Sequence, residues 1–400
     1  MDRVNRHSPE GDELVPVTKF DKIIESPDDS KSILTFGLEM EFVVPILRSG
    51  VPDPFASDKR PVFKYPDFSN TSGLIFHALR KVCDIPFRLD TNDSYHGPTN
   101  KIVRYDMWRI VRDPSVRFKG DRIEYSWAGR EITSEVFKYD NSDYYTEKIT
   151  KVCRAIRQLR VHLNRTTSVH VHVGLGDDPF SLLTIKKVAT LILVAEDMLV
   201  GLHHPARRAS PYCKLLSRYS SLGRWTSALS QKQKESLRRP QTKEMAEFVP
   251  DLTTTTDQTL QETENLEEIA RVMDDPEYYG YFRGSVSFGR FLPEEGKGGN
   301  IQTIEFRQME GSFDPEHIIH WARVCMTIVN FARFADPEIY KTLMKNLMTE
   351  EIPFSVFDLL RFLGLPKEEK FFRGKVKKYE SNLDFFEGES SGGLFVPEMK

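Results

Sequence analysis

The sequence is poor in cysteine, and its few cysteines stand far apart. Cys83, Cys153, Cys213 and Cys325 are the four cysteines among 400 residues. They form neither a C-x-x-C pair nor the dense pattern of a disulfide framework. This usage is typical of free thiols in a reducing compartment, and it excludes a small secreted domain held together by disulfides.

The sequence also lacks a long uncharged apolar run. Its most apolar stretch, residues 182–202, contains two lysines, one glutamate and one aspartate. A membrane span needs roughly 20 nearly uncharged residues, so this stretch predicts a buried core helix. Residues 1–16 lack the apolar segment of a secretory signal. We therefore expect a cytoplasmic protein that does not enter a membrane.

Neither sign of charge is in large excess. The chain has 56 lysines and arginines against 59 aspartates and glutamates, which gives a formal net charge of −3. General electrostatic attraction to nucleic acid or to an anionic membrane requires a strong basic excess. The composition therefore indicates that the protein binds neither nucleic acid nor a membrane surface.

What the sequence does contain is a series of strand patterns with few complete strand–helix–strand units. We predict an α+β fold in which a largely antiparallel sheet has helices packed on one side. This domain is predicted over residues 31–340, with a polar insertion at 228–268. The predicted flanking segments are a disordered N-terminal segment (1–30), a C-terminal helical extension (341–365) and a charged tail (366–400).

Three of the strand patterns place polar side chains on a face opposite to apolar ones. Residues two apart in a strand share a face, so each motif GLEMEF, SVHVHVG and TIEFRQ presents a polar pair. The pairs are Glu39 with Glu41, His170 with His172, and Glu305 with Arg307. Polar groups of these types are costly to bury without partners.

An ordinary solvent-exposed sheet face would explain any one of these pairs. The three pairs together favour a functional site, because carboxylates with a neutral imidazole suit Mg²⁺ or Mn²⁺. An arginine two residues from such a ligand can hold phosphate oxygens beside the metal. The pattern therefore predicts a metal and nucleotide site on an antiparallel sheet.

The same motifs resemble those of a known family. GLEMEF, GREITSEVF, SVHVHVG and IEFRQMEGSFDP, the last followed by a tryptophan-containing helix, resemble in this order the fungal putative amidoligase family. That family belongs to the carboxylate–amine ligases, which are related to glutamine synthetase and glutamate–cysteine ligase. The resemblance extends from about residue 34 to about residue 335. It implies a glutamine synthetase-like fold and an amidoligase-like catalytic domain.

The resemblance also implies a role for individual residues. Glu305 and Arg307 are the expected catalytic pair, and Arg307 would contact the phosphates with His172 close to the nucleotide. Arg283, in YFRGSVSF, is a further candidate for the nucleotide site apart from the resemblance, with a surface strand arginine as the alternative. Arg207, in HHPARRASPYC, is a candidate substrate contact. The expected metal ligands are Glu39, Glu41, Glu131, His170 and Glu305.

The activity that the resemblance implies is amide-bond formation between a carboxylate and an amine, dependent on ATP and on Mg²⁺ or Mn²⁺. ATP would phosphorylate the carboxylate, and the amine would attack the resulting acyl phosphate. The expected substrates are small molecules or peptides, and an oligomer is compatible with the sequence. Two alternatives are a metal-dependent hydrolase without nucleotide and a non-catalytic binding module that keeps the ligase fold.

Two further features favour structural interpretations. The segment EEGKGGN lacks the spacing of a phosphate-binding loop and predicts a hairpin turn. His203 and His204 precede a proline outside any regular pattern, so they are predicted to be loop residues.

Overall fold

The strand that carries Glu39 and Glu41 lies at the centre of the sheet. In the computed structural model this strand, β1, extends over Thr35–Leu47, and all of its residues except Gly37 and Glu39 are buried. Its even-numbered apolar residues from Phe36 to Val44 belong to the main hydrophobic core. The opposite face holds the two glutamates, as the period of two predicts.

The structure describes residues 29, 31–64, 71–89, 105–228, 260, 263–274, 283–292, 302–349, 353–381 and 394–399. The EEGKGGN turn lies outside the described residues. So do most of the predicted polar insertion at 228–268 and all but one residue of the predicted disordered segment at 1–30.

The described strands form one nine-stranded sheet. They are β1, β2 (Phe63–Lys64), β3 (Phe87–Leu89), β4 (Trp108–Arg112), β5 (Tyr125–Thr133), β6 (Phe137–Lys138), β7 (Ser168–Gly174), β8 (Val286–Ser287) and β9 (Thr303–Glu310). Their order is β3-β4-β5-β1-β7-β9-β8, with β2 and β6 also paired to β1. Only β1 with β2 and β3 with β4 pair in parallel among these strands. The prediction of an α+β fold with a largely antiparallel sheet is confirmed.

Helices cover the apolar side of the central strands. The described helices are α1 (Thr71–Val82), α2 (Ser142–Arg157), α3 (Leu182–Val200), α4 (Leu216–Tyr219), α5 (Ser221–Ala228), α6 (Leu266–Met273), α7 (Pro315–Phe334), α8 (Pro337–Met348), α9 (Val356–Phe362) and α10 (Pro366–Ser381). Helix α7 contacts β7, α2 and α3. No helix within the described ranges has both the length and the apolar character that a membrane crossing requires.

The prediction of a charged tail at 366–400 is wrong for residues 366–381. Its first part is helix α10, in which Phe372 is fully buried and Tyr379 is nearly so. Glu368 accepts a hydrogen-bond contact of 3.0 Å from His320 on α7. The net charge of the segment conceals a few apolar residues at helical spacing, and these are sufficient to pack the helix against α7.

The end of the chain also returns to the domain. The backbone N–H of Val396 donates to the carbonyl oxygen of Val161 at 2.9 Å, and Val396 itself is fully buried. A short apolar segment near a terminus has no periodicity from which such docking can be predicted. The predicted tail is therefore wrong for residues 394–399 as well.

Candidate active site

The register of the sheet brings the predicted ligands together. Glu39 on β1 lies opposite His170 on β7, and Glu41 lies opposite Glu131 on β5. Directly opposed residues of antiparallel strands project from the same face of a sheet. Residues that are far apart in the sequence therefore converge on one face of three adjacent strands.

Strand β9 extends this face by one more strand. Glu305 lies opposite His172, and the register then shifts between Val169 and Val171, where β9 has one residue more than β7. A β-bulge of this kind bends a strand and redirects its side chains, and bulges are frequent beside active sites. The guanidinium of Arg307, which lies within the bulge, forms an ion pair with Glu305.

The first group of potential metal ligands consists of Glu39, His170 and Glu305. The His170 Nδ1 lies 3.1 Å from Glu39 Oε2 and 3.2 Å from Glu305 Oε1. One donor atom from each residue falls within 4.8 Å of the others. Ser168 Oγ lies 2.7 Å from His170 Nε2 and donates to Glu41 Oε2 at 2.6 Å. This contact fixes the imidazole with Nδ1 toward the two carboxylates.

The second group consists of Glu41, Asp113 and Glu131, whose carboxylate oxygens also lie within 4.8 Å of one another. Asp113 belongs to the loop that follows β4. This loop crosses close over Gly129 on β5, where a Cβ atom would lie 2.2 Å from the carbonyl oxygens of Asp113 and Val116. Glycine at this position is therefore what allows Asp113 to reach the other two acids.

The electrostatic environment differs between the carboxylates. Burial, followed by the negative charges of Glu39, Asp113 and Glu41, raises the pKa of Glu131 well above its usual value. Burial also raises the pKa of Glu41. Acidic groups that raise each other's pKa form a region of uncompensated negative charge, which favours a bound cation.

The carboxylates beside the histidines and the arginine behave in the opposite way. Burial acts to raise the pKa of Glu39, but the neighbouring His172 and His170 outweigh it and lower that pKa well below its usual value. Burial likewise acts against ionisation of Glu305, but Arg307 and His172 lower its pKa. Both glutamates are therefore ionised at neutral pH, as metal ligation requires.

Of the residues predicted for the nucleotide, His172 and Arg307 contact these carboxylates, and Arg283 contacts Tyr212. His172 Nε2 is 3.0 Å from Glu39 Oε1. Arg307 Nε donates to the carbonyl oxygen of Tyr212 at 3.3 Å. The Arg283 guanidinium lies over the Tyr212 ring, 5.0 Å from its centroid. Arg283 is thus placed against the residue that holds Arg307.

Arg207, the candidate substrate contact, is buried against β9. It is only 1% exposed, and its Nη2 donates to the main-chain carbonyl oxygen of Arg307 at 2.6 Å. This placement makes Arg207 a support for β9, and its contact with substrate stays a prediction.

The sequence-based prediction missed three residues near the site. Ser168 lies two residues before His170 on the same strand face, so the period of two contained the signal for it. Asp113 lies in a loop after β4, where no periodicity marks it. Arg290 is exposed, and its charge acts on His172 and on Tyr105.

Clustered acids, histidines and one arginine on a single face of a mostly antiparallel sheet are typical of an enzyme active site. The model of the family described as putative amidoligase enzyme matches residues 32–329, well over half of the chain. The protein belongs to this family, whose name indicates a ligase. The matched region contains every site residue described above. The chain has no match among curated proteins.

Proposed function

We propose that the protein is an ATP- and Mg²⁺-dependent ligase that joins a carboxylate to an amine through an acyl phosphate, with Mn²⁺ as a substitute for Mg²⁺. The observation that carries this proposal is the pair of carboxylate-rich ligand groups, one containing Glu39 and the other Glu41, with Arg307 paired to Glu305 in the first. An acyl phosphate requires two anions, the carboxylate and the triphosphate, to approach each other. Such an approach needs several fixed positive charges.

The donor set fits hard divalent cations. Glu41, Asp113 and Glu131 offer oxygen atoms alone, while Glu39 and Glu305 are joined by the single imidazole of His170. Oxygen-dominated sets of this kind select Mg²⁺ or Mn²⁺ over softer metals. Bound cations would supply Lewis-acid polarisation of the phosphoryl group and neutralise the charge that develops on it.

Arg307 is the residue that we assign to the transferred phosphoryl group. Its Nη1 is committed to Glu305 and its Nε to the Tyr212 carbonyl oxygen, which fixes the plane of the guanidinium. The remaining N–H groups can donate to phosphate oxygens in the paired geometry that arginine favours. Arg207 holds the Arg307 carbonyl oxygen and thereby keeps the β-bulge in place.

Two further parts of the proposal concern the type of fold and the surroundings. We propose a glutamine synthetase-like sheet, supported by the placement of the E-x-E, H-x-H and E-x-R motifs on adjacent antiparallel strands. We also propose that the protein acts on small-molecule or peptide carboxylates and amines in the cytoplasm. The four free cysteines are compatible with that reducing compartment.

The test is release of ADP and phosphate from ATP and Mg²⁺ in the presence of pools of amino acids, polyamines and short peptides. We expect release to require both a carboxylate and an amine. We also expect Glu305→Gln to reduce the rate by about 100-fold or more, because it removes a ligand and the ion-pair partner of Arg307. The matched control is Glu147→Gln, which changes an exposed glutamate on α2 and leaves the rate unchanged.

The other outcomes identify the alternatives. Release of phosphate without any amine would indicate a nucleotide hydrolase rather than a ligase. Absence of both turnover and nucleotide binding would favour a metal-dependent hydrolase that uses no nucleotide, or a non-catalytic binding module. Equal rates for Glu305→Gln and the control variant would remove Glu305 from the reaction.

A further inference from the structure

A second polar cluster lies at the end of β9, and the proposed ligase reaction does not use it. Glu310 is the last residue of β9, His203 follows α3, and His317 lies in the first turn of α7. His203 Nδ1 is 3.4 Å from Glu310 Oε2, and His317 Nδ1 is 3.9 Å from Glu310 Oε1. One donor atom from each residue lies within 4.8 Å of the other two.

The two histidines of this cluster are buried without hydrogen-bond partners. The side chains of His203 and His317 are 0% and 1% exposed. Neither ring nitrogen of either residue forms a hydrogen bond with the residues that the structure describes. Buried imidazole nitrogens are normally paired, so each ring has one lone-pair nitrogen that a shared ligand beside the carboxylate can take up.

The Glu310 carboxylate, in contrast, is oriented by two hydrogen bonds. The Tyr379 hydroxyl on α10 donates to Glu310 Oε1, and the backbone N–H of His204 donates to Glu310 Oε2 at 3.2 Å. Hydrogen bonds of this type orient a ligating carboxylate and tune the metal that it holds. They keep both carboxylate oxygens turned toward the imidazoles of His203 and His317.

Aromatic side chains enclose the cluster. The ring centroid of Trp321 lies 4.3 Å from that of His203. The ring centroid of Phe372 lies 5.8 Å from that of His203 and 5.9 Å from that of His317. Burial in these surroundings lowers the pKa of both imidazoles. Both are therefore neutral at physiological pH, which is the protonation state that binds a metal ion.

We propose that His203, Glu310 and His317 bind one Zn²⁺ ion that holds together the end of α3, the end of β9 and the start of α7. Two imidazoles with one carboxylate are a ligand set for zinc, whereas Mg²⁺ prefers oxygen ligands. Zinc–ligand bonds of about 2.0 Å at tetrahedral angles separate neighbouring donor atoms by about 3.3 Å. The distance from His203 Nδ1 to Glu310 Oε2 is 3.4 Å and that from His317 Nδ1 to Glu310 Oε1 is 3.9 Å, so binding requires the three side chains to draw slightly closer around the ion.

The charge balance of the surroundings is compatible with a divalent cation. The charges of Arg207 and of Lys375 on α10 both act on His203, and Lys375 pairs with Asp314 at 3.5 Å. Glu310 therefore remains the one anion that contacts both histidines. Helix α10, which supplies Tyr379 and Phe372, lies beyond residue 329, where the family match ends. The metal would thus join elements of the family domain, while α10 covers it and orients Glu310 through Tyr379.

The test measures metal content in the full-length protein after prolonged dialysis against EDTA. We expect about one equivalent of zinc to remain in the wild type, because release requires α10 to open. We also expect His203→Gln and His317→Gln to lose at least 90% of that zinc. Glu39→Gln is the reciprocal control, since it alters the proposed magnesium site and retains the zinc. The outcome is therefore independent of whether the protein proves to be a ligase.

A second measurement covers the case in which the histidine variants do not fold. Glu39→Gln protein is unfolded in guanidinium with EDTA, refolded without metal, and then titrated with Zn²⁺ or Mg²⁺. We expect Zn²⁺ to raise the melting temperature by several degrees more than Mg²⁺ does, because Mg²⁺ retains only the Glu41, Asp113 and Glu131 group in this variant. Absence of zinc from the wild type together with no shift on addition of Zn²⁺ would overturn the proposal, and so would equal zinc content in the wild type and folded His317→Gln protein.

Discussion

At the scale of single residues, the neighbours of each carboxylate decide its chemistry. Glu39 and Glu131 are both partly buried glutamates on adjacent strands, yet the pKa of Glu39 is lowered and that of Glu131 is raised. Glu39 lies between two histidines, whereas Glu131 faces other acids. The protein therefore contains one strongly ionised ligand and one acid whose ionisation depends on a nearby cation.

This difference predicts that neutralising Glu131 stabilises the metal-free protein but reduces the stabilisation that a bound cation provides. In metal-free protein, Glu131→Gln removes a repulsive buried acid, and we expect it to raise the free energy of unfolding by about 1 kcal/mol. With Mn²⁺ present the variant lacks a ligand, and we expect a smaller rise in melting temperature than in the wild type. Thermal unfolding of both proteins with and without Mn²⁺ measures the two effects.

The exposed glutamate at position 147 again serves as the control. Glu147→Gln is expected to leave both the metal-free stability and the response to Mn²⁺ within error of the wild type, because exposed ion pairs contribute little. A Glu131→Gln protein that is destabilised without metal would show that Glu131 is not under repulsion from its neighbours.

At the scale of secondary-structure elements, the approach of a loop to a strand builds half of the site. The loop after β4 passes over β5, and the backbone N–H of Asp113 donates to the Gly129 carbonyl oxygen at 3.3 Å. The approach is too close for any side chain at position 129. One glycine thus determines whether Asp113 joins Glu41 and Glu131.

We predict that Gly129→Ala displaces this loop and weakens divalent-cation binding by at least tenfold. The added methyl group would lie within van der Waals radii of two carbonyl oxygens, so we also expect a loss of stability of about 1 to 3 kcal/mol. Isothermal titration with Mn²⁺ and urea unfolding provide the two measurements.

Helix α10 offers a matched glycine for comparison. Nothing lies within 4 Å of a Cβ atom placed at Gly374, so Gly374→Ala should raise stability by about 0.5 to 1 kcal/mol through its helix propensity. It should leave Mn²⁺ binding unchanged. Equal effects of the two substitutions on Mn²⁺ affinity would contradict the role assigned to the loop.

At the scale of the whole molecule, the last described residues contact the loop before β2, the start of β5 and the end of α2. Arg60 Nη1 donates to the Val396 carbonyl oxygen at 2.6 Å, and Arg157 Nε donates to that of Pro397 at 2.7 Å. Phe395 packs against the aromatic rings of Phe55 and Tyr125. Two arginines and a small aromatic cluster therefore depend on this segment.

Deletion of residues 394–400 is expected to lower the free energy of unfolding by about 4 kcal/mol. The loss combines the burial of Phe395 and Val396 with two buried arginine hydrogen bonds that would lose their acceptors. Urea unfolding followed by circular dichroism measures the change. Deletion of 398–400 alone keeps these contacts and serves as the control. A loss below 1 kcal/mol in the longer deletion would show that the segment contributes no packing.

The site was predictable wherever its residues obey a short-range period. Alternation within a strand identified Glu39, Glu41, His170, His172 and Glu305 as residues that share a face. The same rule could have added Ser168. Asp113 could not be predicted, because its position depends on a loop that crosses Gly129 at a distance that no local pattern encodes.

The sequence by itself determined the fold class, the strands that carry the polar pairs and the family. These properties depend on local periodicity and on residue order. The tertiary structure alone decided that Arg207 supports β9, that α10 packs on the domain, and that His203, Glu310 and His317 meet. Each of these contacts joins segments distant in the chain. Such contacts depend on strand register and helix packing. Because local composition does not encode either of these, the sequence alone could not predict them.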